Sequence, residues 1–221
     1  MSPKAAELLL TRLRASVVAP GDDDEARSRL MPRLLDGKPA RPPGPPPGVV
    51  PRVGAVLALL YPHAGELMLP LTVRSELLTN HRGEVSLPGG AADPDDPDLS
   101  WTALRESQEE LGIAPEAIEL WGTLTPVYIR PSNFQITPYV GYIAEPPELR
   151  PHAREVAQVL ELPLRHLLHP ETVVVEEWVR QGTPMLVPFY LFQGFKIWGA
   201  TAIILSQLAA RAAPILGTGK G

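Results

Sequence analysis

Short apolar runs separated by turn residues fill the middle of the chain. Residues 53–60 and 66–73 predict two buried strands joined as a hairpin, and residues 118–127 and 134–143 predict two more, separated by a turn at residues 130–133. Residues 172–179 alternate apolar and charged positions as an edge strand does, and residues 184–192 follow as its hairpin partner. These runs predict the strands of one sheet.

Helical spacing of apolar residues marks the remaining segments. Residues 5–18 predict an amphipathic helix, and the acidic run at residues 21–24 predicts the start of a second short helix that ends at Leu35. A third helix ends at Gly112, a short one begins at Pro163, and a long closing helix covers residues 198–211. The order of elements predicts an α/β (α+β) fold, with a mixed β-sheet sandwiched between helices.

The chain divides most economically into one domain and an appendage. We assign residues 1–50 to an N-terminal appendage with a helix and a proline-rich spacer at residues 39–51, residues 51–213 to the domain, and residues 214–221 to a tail. The sequence leaves open whether the appendage packs on the domain, pairs two copies or moves freely.

Composition and charge exclude several classes of protein. With 44% apolar residues the chain is not disordered, and a net charge of −5 argues against a nucleic-acid-binding surface. The absence of cysteine excludes disulfides and thiolate catalysis. Charged residues interrupt the first apolar run, and residues 197–208 are too short to span a bilayer. We therefore expect a cytoplasmic protein without a membrane or nucleic-acid partner, and a homodimer stays open.

Three glutamates gather on one face of the third helix. At about 100° per residue, Glu106, Glu109 and Glu110 span an arc of about 100°. Trp101 and Leu111, with Leu104, lie on the opposite side, so we expect the acidic face to be open while the other side packs. Clustered carboxylates repel unless a cation lies among them, and hard oxygen ligands suit Mg²⁺ or Mn²⁺. The alternative is a solvated acidic surface.

The same segment resembles the Nudix box, a Gly, five residues, Glu, seven residues, and then Arg-Glu-apolar-x-Glu-Glu-x-Gly-apolar. The matching residues are Arg105, Glu106, Glu109, Glu110, Gly112 and Ile113, with Ser107 at the usually apolar position. Gly90 and Asp96 stand for the leading Gly and Glu. Asp therefore replaces Glu, and eight residues instead of seven separate it from Arg105.

The lead-in to this box resembles the signature of the coenzyme A pyrophosphatase branch of Nudix hydrolases. The residues that carry the likeness are Leu71-Thr72-Val73-Arg74-Ser75, His81, Gly83 and Leu87-Pro88-Gly89-Gly90. Thr79 stands where the branch usually has Arg, and Leu87 where it usually has Phe. Residues 154–157, 162–164 and 197–202 also resemble the branch, so the likeness covers roughly residues 53–208.

The resemblance implies a metal-dependent hydrolase that cleaves the diphosphate of coenzyme A or its thioesters to 3′,5′-ADP and 4′-phosphopantetheine derivatives. It implies Mg²⁺ or Mn²⁺ held by Glu106, Glu109, Glu110 and the Gly90 carbonyl, with Arg105 orienting a carboxylate and Glu155 as a candidate general base. It further implies substrate contacts from Arg74, Ser75, His81 and Gly89.

Two other functions stay open. A Nudix pyrophosphatase could act on ADP-ribose, NADH or another nucleoside diphosphate derivative, and Thr79 keeps that alternative alive. A non-catalytic Nudix-like binding module would use the appendage as its contact surface, but the clustered glutamates argue against it. For Glu155 the bland alternative is a surface residue, and for His81 a structural hydrogen-bonding side chain.

Overall fold

The computed structural model describes residues 3–19, 21, 23–40, 44–75, 83–180 and 182–217. Within them, four α-helices cover Pro3–Val18 (α1), Asp24–Leu30 (α2), Leu99–Leu111 (α3) and Gly199–Leu216 (α4). The strands are Arg33–Leu34 (β1), Arg52–His63 (β2), Glu66–Arg74 (β3), Val85–Ser86 (β4), Gly89–Ala91 (β5), Glu119–Thr123 (β6), Val127–Ile129 (β7), Phe134–Tyr142 (β8), Val156–Pro163 (β9), Val173–Arg180 (β10), Thr183–Phe192 (β11) and Phe195–Trp198 (β12). Short 3₁₀ helices cover Pro115–Ala117, Arg130–Ser132, Leu164–Leu168 and Pro170–Thr172.

Strand β2 is the centre of a mixed sheet of eight strands. It runs parallel to β8 along one edge. On its other edge it pairs with β5 near its start and with β3 only at its end, from Tyr61 to His63. The predicted β2–β3 hairpin is confirmed at its tip, and farther along β3 pairs with β4 and β9 instead. This exchange of neighbours places the β5 turn beside the first half of β2.

The two faces of β2 bury against different helices. Ala55, Leu57 and Leu59 pack in a cluster with residues of α3, and the alternate residues of the strand join a larger core with α4. The predicted mixed sheet between helices is therefore confirmed. A second sheet, in which β11 pairs with β1, β10 and β12, includes the predicted hairpin of β10 and β11.

Two predicted boundaries were wrong for local reasons. The strand predicted over residues 118–127 is divided into β6 and β7, because Pro126 has no N–H to donate and the Thr125 N–H bonds Gln207 Oε1 at 2.9 Å instead. The second helix ends at Leu30 rather than Leu35, because Pro32 disfavours a helical residue before it. The residues that follow form β1 and pair with β11.

Helix α4 is longer than the sequence predicted. It runs to Leu216, and its 18 residues with a mean hydropathy of 1.3 are long and apolar enough to cross a membrane by length and composition. The helix predicted over residues 198–211 therefore ends too early, because the structure continues it to Leu216. In the described structure α4 lies in the core, and Leu205, Gln207 and Leu208 are fully buried.

The N-terminal helices pack on α4 through a buried polar network. Arg211 of α4 donates from Nε to Asp23 Oδ1 at 2.9 Å and from Nη1 to the Ser16 carbonyl at 2.9 Å. Asp23 Oδ2 also accepts from Thr125 Oγ1 at 2.9 Å. Leu13 of α1 and Leu30 of α2 are fully buried. Residues 3–30, where the structure describes them, are thus part of the packed body.

Candidate active site

Helix α3 has a defined start and end, which fix the positions of its glutamates. Asp98 Oδ1 accepts the N–H groups of Ser100 and Trp101 at 2.8 and 3.0 Å, as an N-cap does. Gly112 ends the helix in the left-handed region with φ 71°, and its N–H donates to the Gln108 carbonyl. The predicted glycine cap is confirmed.

The side of α3 that packs is not the side that its large apolar residues predict. Trp101 is 44% exposed, whereas the small Ala103 and Ser107 are fully buried. Small side chains let the helix lie close to β2, so the large indole stays at the rim. The Ser107 hydroxyl donates to the Ala103 carbonyl at 2.8 Å, which satisfies its polar group inside the core. The predicted packing face was therefore wrong for Trp101.

Glu110 is buried, which corrects the expectation of an open acidic face. Glu110 is only 4% exposed, and its Oε2 has no hydrogen-bond partner among the described residues. Burial, with the nearby Glu106 carboxylate, raises the pKa of Glu110 to about 8, although the charge of Arg74 and the Gly89 N–H oppose the rise. Without a cation, this carboxyl is therefore mainly protonated at pH 7.

Glu106 lies against the glycine turn. Its side chain is 15% exposed, and burial raises its pKa against the opposing effect of Arg105. A Cβ placed on Gly90 would lie only 2.4 Å from Glu106 Oε1, so the absence of a side chain lets the backbone approach the carboxylate. Gly89 has φ 152°, and a Cβ there would lie 2.3 Å from the Ala55 carbonyl oxygen. The Gly-Gly pair is thus required for this close packing.

Arg105 is clamped by Asp96, the residue that stands at the altered position of the motif. Arg105 donates from Nε to Asp96 Oδ1 and from Nη2 to Asp96 Oδ2, both at 3.0 Å. Asp96 Oδ2 also accepts from Thr102 Oγ1 at 2.8 Å and from the Asp93 N–H at 2.9 Å. Its side chain is 3% exposed, and the guanidinium holds the pKa of Asp96 well below its usual range. The loop absorbs the extra residue, and the shorter acid still reaches Arg105.

The other edge of the guanidinium faces the glutamates. Arg105 Nη1 lies 2.9 Å from Glu106 Oε1 and 3.3 Å from Glu109 Oε2, and Glu109 is 56% exposed. The structure therefore brings the three glutamates of α3 close together, and their side chains differ in how far they are buried. Arg105 connects two of them to the Asp96 clamp.

A loop from residues 150 to 155 closes the carboxyl end of α3 and carries Glu155 to the cluster. The His152 N–H donates to the Glu110 carbonyl at 2.9 Å. Glu155 is close enough for its charge to raise the pKa of both Glu106 and Glu110. Its Oε1 lies 3.3 Å from His152 Nδ1, and its side chain is 47% exposed. His152 had no functional signal in the sequence, because only the fold brings it beside Glu155.

Of the predicted substrate-binding residues, Arg74 ends β3, Ser75 follows it, and Gly89 begins β5. Arg74 Nε is buried without a hydrogen-bond partner among the described residues, and its charge acts on Glu110. The Ser75 N–H donates to the Glu155 carbonyl at 2.8 Å, which joins this strand end to the loop. His81 and Thr79 lie outside the described residues.

The residues of the cluster are of the chemical type that binds a hard divalent cation, but their side chains are not arranged around one common point. Among the described residues, no group of three or more His, Asp or Glu side chains is arranged to hold a metal ion, and Arg105 pairs with Glu106 and Glu109 instead. The orphaned Oε2 of Glu110 is nevertheless a buried oxygen that lacks a partner, and the Gly90 backbone adjoins the Glu106 carboxylate. A set of carboxylate and carbonyl oxygens suits Mg²⁺ or Mn²⁺.

Comparison with known proteins places this site inside a family match. The NUDIX domain matches residues 51–181. The human mitochondrial coenzyme A diphosphatase NUDT8 is 40% identical over 158 residues, which cover 70% of this chain and 66% of that protein. An uncharacterized Nudix hydrolase, NudL of Klebsiella pneumoniae subsp. pneumoniae, is 44% identical over 143 residues, which cover 64% of this chain and 73% of that protein. A crystal structure of a MutT NUDIX hydrolase from Burkholderia pseudomallei has a TM-score of 0.46 and 22% identity, and covers 72% of this chain and 98% of that chain.

Proposed function

We propose that this chain, which belongs to the Nudix hydrolase family, hydrolyses the diphosphate of coenzyme A or its thioesters with Mg²⁺ or Mn²⁺. The products would be 3′,5′-ADP and 4′-phosphopantetheine or its acyl derivative. The observation that carries the chemistry is the buried Glu110 carboxyl with an unpaired oxygen, beside the Gly-Gly turn. The coenzyme A substrate is supported by the named human relative and by the signature around Arg74.

The cation is the part of the site that the family implies. Glu106, Glu109 and Glu110, with the Gly90 carbonyl, would hold it, and when bound it would polarise the phosphoryl oxygens and lower the pKa of a bound water. Arg105 fixes the Glu106 carboxylate, because its other edge is locked by the bidentate pair with Asp96.

The remaining residues divide the work between substrate and proton. Arg74 presents a guanidinium at the rim of the carboxylate cluster and would pair with a phosphate of the substrate. Glu155 is half exposed beside the cluster and would take the proton of the attacking water as general base, with His152 holding its carboxylate. Gly89 would contact the substrate through its backbone, because its missing side chain lets the turn pack against β2 beside the cluster.

The competing functions are weaker on the same observations. A binding module without catalysis has no use for a buried carboxyl whose pKa is about 8. ADP-ribose or NADH would suit the same diphosphate chemistry, and Thr79 keeps them as the second candidate class. We further propose a cytoplasmic protein whose partner is a small diphosphate rather than nucleic acid or a membrane, in keeping with its net charge of −5. A homodimer is compatible with this function.

Product identification tests the proposed substrate. Purified protein with Mg²⁺, and separately with Mn²⁺, is given coenzyme A, acetyl coenzyme A, ADP-ribose and NADH, and the products are identified by mass. We expect 4′-phosphopantetheine from coenzyme A, with kcat/KM at least about 10-fold above that for ADP-ribose or NADH. A higher kcat/KM for ADP-ribose or NADH would assign the protein to the second substrate class. No turnover of any of the four would reject the proposal.

A further inference from the structure

A cavity separate from the carboxylate cluster lies between the N-terminal segment, β7, the second sheet and the start of α4. Its wall is mainly apolar, with Met31, Val127, Met185 and Ile203 among the lining residues. Two arginines, Arg27 and Arg180, also line it, and the set includes no Asp or Glu. The chain has a net charge of −5, whereas the residues that line this cavity include two cations and no acid, so the local charge is positive.

Arg27 is a cation with incomplete pairing. Its side chain is 13% exposed, and its Nε is inaccessible and has no hydrogen-bond partner among the described residues. Nη1 pairs with Asp24 at 3.0 Å, but that carboxylate is 79% exposed and is a weakly held surface partner. The charge of Arg27 is therefore only partly compensated, and an anion bound in the cavity would add a partner of opposite sign.

Arg180, at the end of β10, lines the same cavity. Its guanidinium carbon lies 4.3 Å from the centroid of the Trp198 ring and 5.3 Å from that of Trp178. It forms no ion pair within the described part of the chain. A cation–π contact over a ring holds a guanidinium while its N–H groups can still donate to an acceptor. Trp198 also lines the cavity and offers an aromatic surface to a ligand.

The start of α4 adds to the positive character of the cavity and contacts the strand that precedes the Gly-Gly turn. Gly199 and Ala200 line the cavity, and the helix has neither a side-chain cap nor an acidic residue in its first turn. Thr201 Oγ1 donates to the Val85 carbonyl at 3.1 Å. Val85 belongs to β4, which leads through residues 87 and 88 to the Gly-Gly turn. The helix whose start lines the cavity is therefore hydrogen-bonded to the segment that leads to the carboxylate cluster.

We propose that this cavity binds a phosphomonoester on an adenosine, with Arg27 and Arg180 as its cation pair and the apolar and aromatic wall against the nucleoside. Within the proposed function, on which this inference rests, the ligand is the ribose 3′-phosphate end of coenzyme A. The cavity then determines specificity, because 3′-dephospho-coenzyme A has the same diphosphate but lacks the group that the two arginines recognise. Arg27 is contributed by residues that precede the 51–181 match.

A comparison of coenzyme A with 3′-dephospho-coenzyme A tests this assignment. We expect the native protein to prefer coenzyme A in kcat/KM by at least about 10-fold, the effect of charge-assisted hydrogen bonds to a phosphate. Arg27→Gln and Arg180→Gln should each reduce the preference to about 3-fold or less, mainly through a higher KM for coenzyme A. Arg29→Gln, an exposed change on the same helix as Arg27, should keep the native preference.

Ligand protection without catalysis provides a second measurement. In metal-free protein, adenosine 3′,5′-bisphosphate should raise Tm more than adenosine 5′-monophosphate or inorganic phosphate does, and Arg180→Gln should remove the difference. Equal protection by inorganic phosphate would mean a site for free anions and would overturn the assignment to substrate. An equal rate on both coenzyme A forms in the native protein, or an equal loss on both in the two variants, would also overturn it. No cleavage of either form would instead reject the proposed function, and the protection series would still decide the cavity.

Discussion

Replacing Glu110 by Gln lowers kcat/KM for coenzyme A by at least about 100-fold, because it removes a ligand charge that a catalytic cation requires, an effect of several kcal/mol. The same change leaves the metal-free fold intact at pH 7, since the buried carboxyl, with its pKa of about 8, is already mainly protonated there. Gln has the same shape as the neutral acid and fits the same space. Activity and stability are therefore expected to separate in this variant.

The separation is measured by steady-state kinetics and thermal unfolding on the same preparations. Glu116→Gln serves as the matched control, because Glu116 is an exposed acid on a neighbouring 3₁₀ helix. Metal-free native protein should lose stability as pH rises from about 4.5 through about 8, where the folded state must give up its proton from Glu110. Glu110→Gln should lack this part of the loss. Native activity in Glu110→Gln would exclude Glu110 as a ligand.

Replacing Asp96 by Asn should lower the free energy of unfolding by about 3 kcal/mol, because it breaks a bidentate and largely buried ion pair and leaves Arg105 paired only through Nη1 with Glu106 and Glu109. In a domain of this size that change lowers Tm by about 6 to 12 °C. Because the pKa of Asp96 is lower in the folded than in the unfolded protein, its carboxylate stabilises the fold at pH values above the unfolded pKa. That contribution is lost as the pH falls toward the folded pKa. The difference between native and variant should therefore shrink in acid.

Asp96→Asn should also reduce activity by about 10-fold, since Arg105 then no longer holds the Glu106 carboxylate in place. Asp95→Asn is the matched control, one residue away in the same loop and exposed. Both variants are compared by denaturant unfolding and by kcat/KM with coenzyme A. A loss of stability in Asp96→Asn no larger than in Asp95→Asn would show that the clamp contributes little.

The periodicity of the chain predicted much of the fold, and the misses have local causes. Runs of apolar residues identified β2, β3, β8, β10 and β11, because strands buried on both faces or alternating at an edge leave a direct trace in the sequence. Pro126 divided one predicted strand, and its effect depends on the Gln207 side chain from a distant helix. The secondary-structure propensity of neighbouring residues cannot predict a hydrogen-bond partner that is distant in the sequence.

The sequence predicted which residues form the candidate site better than it predicted how far each side chain is buried. The helical spacing of the glutamates placed them together, but it gave an open acidic face where Glu110 is buried. Burial depends on Gly89 and Gly90, which let the turn press against the helix, and that contact is set by tertiary packing. Asp96 departs from the motif in residue type and in spacing, and only the loop conformation brings it to Arg105. His152 and the Arg27 cavity had no sequence signal, because each depends on segments that meet only in the fold.

The claim that buried carboxylates hold the cation is tested most directly by the protons released when Mn²⁺ binds. Calorimetric titration without substrate, in buffers that differ in ionisation enthalpy, gives both affinity and proton count. With the pKa of Glu110 raised to about 8, we expect Mn²⁺ binding to release more protons at pH 7 than at pH 9, with tighter binding at the higher pH. Glu110→Gln should bind more weakly and release no such proton. Binding of Mn²⁺ with the same affinity and proton count in both proteins would contradict the claim.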